Sequence, residues 1–141
     1  MSRSALVAHS AAQIYALIID VERYPQFLPW CVGAEVEAMG EDEMVASLQI
    51  RRGPLRTQFT TRNRLERDRV VDMAFLRGPF RSLEGRWTLT PLGDDGCNVE
   101  LRMRFEFSSA VPGWRLEPVF EETAASLVDA FVARAREVYR A

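Results

Sequence analysis

The 141-residue chain contains no lysine, one histidine and two cysteines. The histidine, His9, and the cysteines, Cys31 and Cys97, lie far apart in sequence, so the clustered ligands of a zinc site are missing. Two cysteines are also too few for a secreted disulfide framework, and we expect a reducing, cytoplasmic setting. A Ser-His-Asp or Cys-His site would have to be built around His9. We therefore expect a binding protein rather than an enzyme.

Long apolar runs and phosphate-binding loops are absent as well. The longest stretch without a charged residue, 4–19, is interrupted by His9, Ser10 and Gln13 and falls short of the roughly 18 apolar residues of a spanning helix. Neither a GxGxxG nor a GxxxxGK[ST] loop occurs, so the common glycine-rich motifs that bind nucleotide phosphates are absent. We expect no membrane-spanning segment and no export signal.

What the chain does contain is typical of one folded domain. Hydrophobic residues make up 48% and charged residues 27% of the sequence, which excludes intrinsic disorder. A length of 141 residues is close to that of an average domain, so we expect a single domain over 1–141.

The hydrophobic pattern changes twice along the chain. After a short first strand, Ser10 is a candidate N-cap for a helix, and Pro25 and Pro29 favour a second short helix or a turn-rich corner. Six segments between 31 and 109 alternate apolar and polar residues, most clearly 97–107, which indicates a half-buried antiparallel sheet. Helical spacing returns at 118–139. The chain is thus predicted to be α+β, with an antiparallel sheet of about seven strands beside a long C-terminal helix.

The meander places charges of opposite sign at opposite ends of this sheet. The turns near 53 and 79 lie at one end, with Trp30, Phe80 and Trp114 expected nearby and with five arginines: Arg51, Arg52, Arg56, Arg77 and Arg81. The turns near 41, 67 and 94 lie at the other end and carry acidic residues. We call the first the arginine end. Arg52, Arg56, Arg77 and Arg81 are candidates for docking on an anionic partner; the alternative is a solvated basic cluster balanced by the acidic end.

The inward-facing side chains of the sheet and the long helix are bulky. They either fill the core or line a hollow between sheet and helix. The candidate lining residues are Phe27, Trp30, Phe59, Phe75, Phe80, Trp87, Met103, Phe105, Phe107, Phe120, Leu127 and Phe131.

Five motifs occur in order over nearly the full length: YPQFLPWC from Tyr24, FTTRN from Phe59, GPFRSLEGRW from Gly78, FEF from Phe105 and ARAREVY from Ala133. Together they resemble the bacterial START-like family of coenzyme-Q-binding proteins and ribosome-association toxins, also described as polyketide cyclase/dehydrase-like. The chain departs from that pattern at Arg81, where the family usually has lysine, and at Pro112 and Pro118 near the entry to the last helix.

The resemblance implies a helix-grip fold, with the sheet wrapped around the C-terminal helix and an apolar tunnel between them. It implies a non-covalent ligand, ubiquinone or a similar isoprenoid quinone, bound by a lipid chaperone that supports respiration, in the cytoplasm or peripherally at the inner membrane. Arg62 or Asn63 would then meet the quinone head, although the alternation along its strand favours Arg62 as a solvated residue on the outer face. The alternative function is binding to the large ribosomal subunit, which would block subunit joining. Catalysis as a cyclase is a third, less favoured interpretation, because no acid–base pair is visible in the sequence. No DNA partner is expected.

Overall fold

A computed structural model of the protein describes residues 1–108 and 113–139. Its elements in chain order are β1 (Ser2–Val7), α1 (Ala11–Ile19), a 3₁₀ helix (Val21–Gln26), β2 (Cys31–Met39), β3 (Glu43–Arg52), β4 (Leu55–Glu66), β5 (Val70–Arg77), β6 (Phe80–Pro91), β7 (Cys97–Phe107) and α2 (Gly113–Val138). Within the described ranges, no helix is long and apolar enough to cross a membrane.

The seven strands form one antiparallel sheet in the order β1-β7-β6-β5-β4-β3-β2. Strands β2 to β7 form a meander, and β1 adds to the free side of β7. This confirms the predicted α+β fold with about seven antiparallel strands and a long C-terminal helix.

Local sequence signals explain the two short helices. Ser10 caps α1: its hydroxyl accepts a hydrogen bond from the Gln13 amide, and the Gln13 side chain accepts one from the Ser10 amide. Pro25 lies inside the 3₁₀ helix, which ends at Gln26. The segment with Pro25 and Pro29 thus forms a second short helix and does not continue α1, as predicted.

Helix α2 lies against the concave face of the sheet. Its fully buried stripe is spaced by one helical turn and consists of Phe120, Ala124, Val128, Phe131 and Ala135. The helix begins at Gly113, five residues before the predicted start at 118. The prediction took Pro118 as a first-turn residue; in the structure it is the sixth residue of the helix, where its ring keeps a helical φ but donates no hydrogen bond to the preceding turn.

The alternation in β7 gives the predicted register. Met103 and Phe107 are buried against α2, whereas Arg102 and Arg104 project outward and are largely exposed. A slip by one residue would have reversed both faces.

The β3–β4 hairpin extends beyond its neighbour β5. The pairing of β4 with β5 runs from Thr60 to Glu66, so β4 residues before Thr60 have no partner on that side. We call residues 51–58 the hairpin tip; it projects from the sheet at the arginine end.

Candidate functional site

An interior cavity of about 70 Å³ lies between α2 and the concave face of the sheet. Its wall is mostly apolar. The predicted residues that line it are Trp30, Phe59, Trp87, Met103, Phe120, Leu127 and Phe131.

The other predicted aromatic residues fill space instead of lining the cavity. Phe80 stacks on Phe107 with ring centroids 4.7 Å apart, and Phe105 packs edge-on against Phe120 at 4.6 Å. Phe75 lies 6.0 Å from Phe80 and joins the same cluster. Phe75, Phe105 and Phe107 point inward, as predicted, but neither they nor Phe80 line this cavity, because their rings meet one another.

Phe27 also lies outside the cavity. Its ring packs on Phe131, with centroids 5.2 Å apart, and the Arg134 guanidinium lies 5.1 Å above it. This cation–π contact covers the end of the 3₁₀ helix and does not point into the interior.

The cavity is small for a ligand site. Pockets that hold small molecules usually measure roughly 300–1,000 Å³, several times the volume found here. Of the two alternatives left open by the sequence, the structure is closer to a filled core.

A polar patch lies in the cavity wall. Thr61 and Asn63 are both buried, and the Thr61 hydroxyl donates to the Asn63 side-chain carbonyl at 2.7 Å. The Asn63 amide group thus faces an apolar space, where a hydrogen-bond acceptor would find a partner. Asn63 was considered from the sequence, but Thr61 was missed. Its signal was a threonine at an inward position between Phe59 and Asn63.

Arg62 is not part of this wall. It lies on the outer face of β4, more than half exposed, and its guanidinium forms an ion pair with Glu43 at 3.0 Å. Of the two interpretations of Arg62, its position fits the favoured one, a solvated arginine on the outer face, because neighbours of inward-facing residues in a strand point to the opposite face.

The arginine end has the predicted composition. The Arg51 amide donates to the Trp30 carbonyl at 2.9 Å, and the Ser108 amide donates to the Pro79 carbonyl at 2.8 Å. These bonds tie the loop at Trp30 and the end of β7 to the turns near 53 and 79. The predicted approach of the Trp114 side chain lies outside the described residues.

Most of the proposed docking arginines have acidic neighbours. Arg52 pairs with Glu122 at 3.3 Å, Arg81 with Glu106 at 3.2 Å, and Arg77 with Glu37. Arg56 is exposed and lies directly opposite Arg51 in the register of β3 and β4.

Neither cysteine thiol is activated by its surroundings. Burial raises the pKa of the Cys31 and Cys97 thiols, which lowers their thiolate content. The two cysteines are free and buried. Among residues 1–108 and 113–139, no group of three His, Cys, Asp or Glu side chains could hold a metal ion.

Solved structures define the class of fold. A START superfamily protein from Mycobacterium smegmatis superposes with a TM-score of 0.82 at 23% identity, covering 99% of this chain and 98% of that one. The Zhui aromatase/cyclase of a Streptomyces species gives a TM-score of 0.86 at 21% identity, covering 99% and 95%. The fold is therefore the START-like helix grip.

The sequence gives the family. Residues 7–132 match the family described as polyketide cyclase / dehydrase and lipid transport, and the chain belongs to that family. The ribosome association toxin RatA of Vibrio cholerae is 43% identical over 139 residues, covering 99% of this chain and 96% of the toxin. The persistence and stress-resistance toxin PasT of Escherichia coli is 41% identical over 141 residues, covering 100% and 89%.

A more distant relative is named as a coenzyme Q-binding protein and not as a toxin. The mitochondrial coenzyme Q-binding protein homologue B of Xenopus laevis is 25% identical over 142 residues, and the match covers 98% of this chain but 58% of that protein. The Vibrio and Escherichia relatives are thus named as toxins, whereas the likeness to the aromatase/cyclase concerns the fold.

Proposed function

We propose that this protein binds the large ribosomal subunit and blocks subunit joining. The observation that carries the proposal is the 43% identity to a ribosome association toxin along nearly the whole of both chains. This reverses the order of the sequence analysis, in which ubiquinone binding came first.

The arginine end supports this proposal chemically. Ribosomal RNA presents phosphates, and the guanidinium group of arginine can donate two parallel hydrogen bonds to one phosphate. The acidic partners of Arg52 and Arg81, Glu122 and Glu106, are exposed surface carboxylates. Such ion pairs contribute little to stability, so a phosphate can replace the carboxylate at small cost.

Cosedimentation with purified large subunits tests the proposal. We expect binding that weakens steeply as salt rises, because phosphate contacts release counterions. Reversal of Arg52, Arg56, Arg77 and Arg81 to glutamate should abolish binding. A control with the same charge change on the outer face, at Arg62, Arg64, Arg102 and Arg104, should retain more of it. Circular dichroism verifies that both variants fold; equal binding by wild type and the arginine-end variant would contradict the proposed docking surface.

A second candidate function is ubiquinone binding in the interior, without covalent attachment. The buried Asn63 amide in an apolar wall supports it, since this group could donate to a quinone carbonyl. The distant coenzyme Q-binding relative points the same way. An isoprenoid quinone would require the cavity to expand well beyond 70 Å³. Organic extraction of the purified protein followed by mass spectrometry tests this function: stoichiometric quinone supports it, and a quinone-free extract counts against it.

Access to the cavity for such a lipid would involve a membrane. Peripheral binding at the bacterial inner membrane therefore stays a prediction tied to the second function. Flotation with anionic vesicles measures it directly.

A further inference from the structure

A second concavity lies on the surface at the arginine end. It is an open groove of about 510 Å³ between the loop Leu28–Trp30, the end of β3 at Arg51 and Arg52, and the middle of α2. Trp30 contributes to this groove and also to the wall of the interior cavity. The groove thus has an apolar side and a doubly cationic side.

The cationic side carries more positive charge than its surroundings neutralise. Arg51 and Arg56 are exposed and directly opposite each other across the β3–β4 hairpin, an arrangement that is unfavourable for like charges. Within the described residues, neither has a carboxylate within 4.0 Å, whereas Arg52 reaches Glu122. The hairpin tip therefore has room for an added anion.

The shape of the groove and its apolar side favour a nucleic acid over a membrane surface as the partner. A phosphate group satisfies the arginines, and a planar base next to that phosphate can pack on the exposed ring of Pro29, which the buried Leu28 and Trp30 hold in place. A membrane surface fits less well, because insertion needs protruding apolar side chains. Of the exposed large hydrophobics in the described chain, Val32 alone is close in sequence to this groove; the others are Leu6, Met39, Leu92 and Val138.

We infer that this groove binds one nucleotide of an exposed RNA loop, with the phosphate on Arg51 and Arg52 and the base against the Leu28–Trp30 loop. The inference rests on the proposed ribosome binding and names the contact that would provide it. The hairpin tip then acts as an RNA-binding projection, and Arg56 adds to the attraction without lining the groove.

Glutamine substitutions at the two groove arginines test the inference on the whole protein. We expect Arg51→Gln/Arg52→Gln to weaken binding to purified large subunits about tenfold or more. The slope of log affinity against log salt should fall by about 0.7, since the two arginines hold one phosphate and roughly 0.7 is lost per phosphate contact on single-stranded RNA. The matched control is Arg67→Gln/Arg69→Gln, two exposed arginines in the turn at the opposite end of the sheet. The affinity of the control variant for large subunits should stay within about twofold of the wild-type affinity in the same assay.

Crosslinking locates the contact independently of affinity. Isolated large-subunit RNA carrying 4-thiouridine is irradiated with the wild-type protein, and mass spectrometry maps the modified residues. We expect crosslinks within 28–30.

The outcomes separate the two proposals. If large subunits bind the glutamine variant and its control equally well, the groove inference is wrong and the proposed function stands. If wild type binds no large subunits, the proposed function fails, and the absence of an RNA crosslink at 28–30 overturns the groove inference as well. If the groove variant loses binding to phosphatidylglycerol vesicles but not to RNA, the groove is a membrane site and the inference is overturned.

Discussion

Glu37 lies in a polar cluster on the outer face of the sheet. Its carboxylate accepts hydrogen bonds from the Ser47 and Thr60 hydroxyls, and the Arg77 guanidinium pairs with it. The bond from Ser47, followed by that from Arg77, holds the pKa of Glu37 below its ordinary value. Ser47 and Thr60 are themselves buried, so this one carboxylate satisfies hydroxyls that have little access to water.

A lowered carboxyl pKa makes stability depend on acid. The contribution of Glu37 is present above its ordinary pKa and is lost as the pH falls through the lower value of the folded protein. We therefore expect Glu37→Gln to lower the free energy of unfolding at pH 7. On acidification to pH 3, the free energy of unfolding of this variant should decrease by less than that of wild type. Urea titrations at both pH values measure this difference. The control is Glu35→Gln, at an exposed position on the same strand; a control identical to the Glu37 variant would contradict the prediction.

At the scale of elements, the turn between β5 and β6 depends on Gly78. Its φ is 142°, in the region that favours glycine, and an added Cβ would lie 2.7 Å from the Cβ of Phe59. Both the backbone conformation and the space thus exclude a side chain. This turn closes against the overhanging strand β4, which explains why it is tighter than the β6–β7 turn.

Gly78→Ala and Gly93→Ala should differ in cost. Gly93 has a φ of 71° with no atom within 4 Å of the position of an added Cβ, so alanine there introduces only backbone strain of about 1–2 kcal/mol. At Gly78 the overlap with Phe59 adds to the strain, and we expect a loss of about 3 kcal/mol or more. Chemical denaturation of the two variants gives the comparison. If the two variants lose the same free energy of unfolding, the Phe59 side chain moves to accommodate the added methyl group, and the prediction is wrong.

Pro118 weakens the first part of α2. It is exposed, it lacks the amide hydrogen of a helical residue, and it lies in the sixth position of the helix. We expect Pro118→Ala to raise the melting temperature by a few degrees, because alanine restores the missing hydrogen bond and has the higher helix propensity. Differential scanning calorimetry measures the change, with Glu117→Ala at the neighbouring exposed position as control. An unchanged or lower melting temperature would show that the proline matches a strained local geometry.

The elements also show what the sequence can predict. In β7 the alternation from Cys97 to Phe107 determines which side chains face α2, because a strand has a period of two. The cap at Ser10 is equally local. The start of α2 was misplaced because a proline permits several positions near a helix end, and sequence alone does not distinguish them. The same alternation along β4 places Arg62 on the outer face, where the structure has it.

For the molecule as a whole, the inward direction of the aromatic residues was predictable but their packing was not. Whether Phe80 and Phe105 line a hollow or meet in the middle depends on the curvature of the sheet and on the depth at which α2 lies. Neither quantity is encoded in a local pattern. In the structure the rings meet, and the remaining space is about 70 Å³.

This small volume leads to the last prediction. Leu127→Ala removes a side chain from the cavity wall and should enlarge the space to about 150 Å³, a size that accepts benzene in an engineered apolar cavity. We expect benzene to raise the melting temperature of this variant but not that of wild type, since only the variant gains a binding site. Leu17→Ala, a partly buried leucine that does not line the cavity, is the control. If benzene also stabilises wild type, or if wild type retains a quinone, the prediction is wrong. The cavity of wild type then opens in solution far enough to bind a ligand.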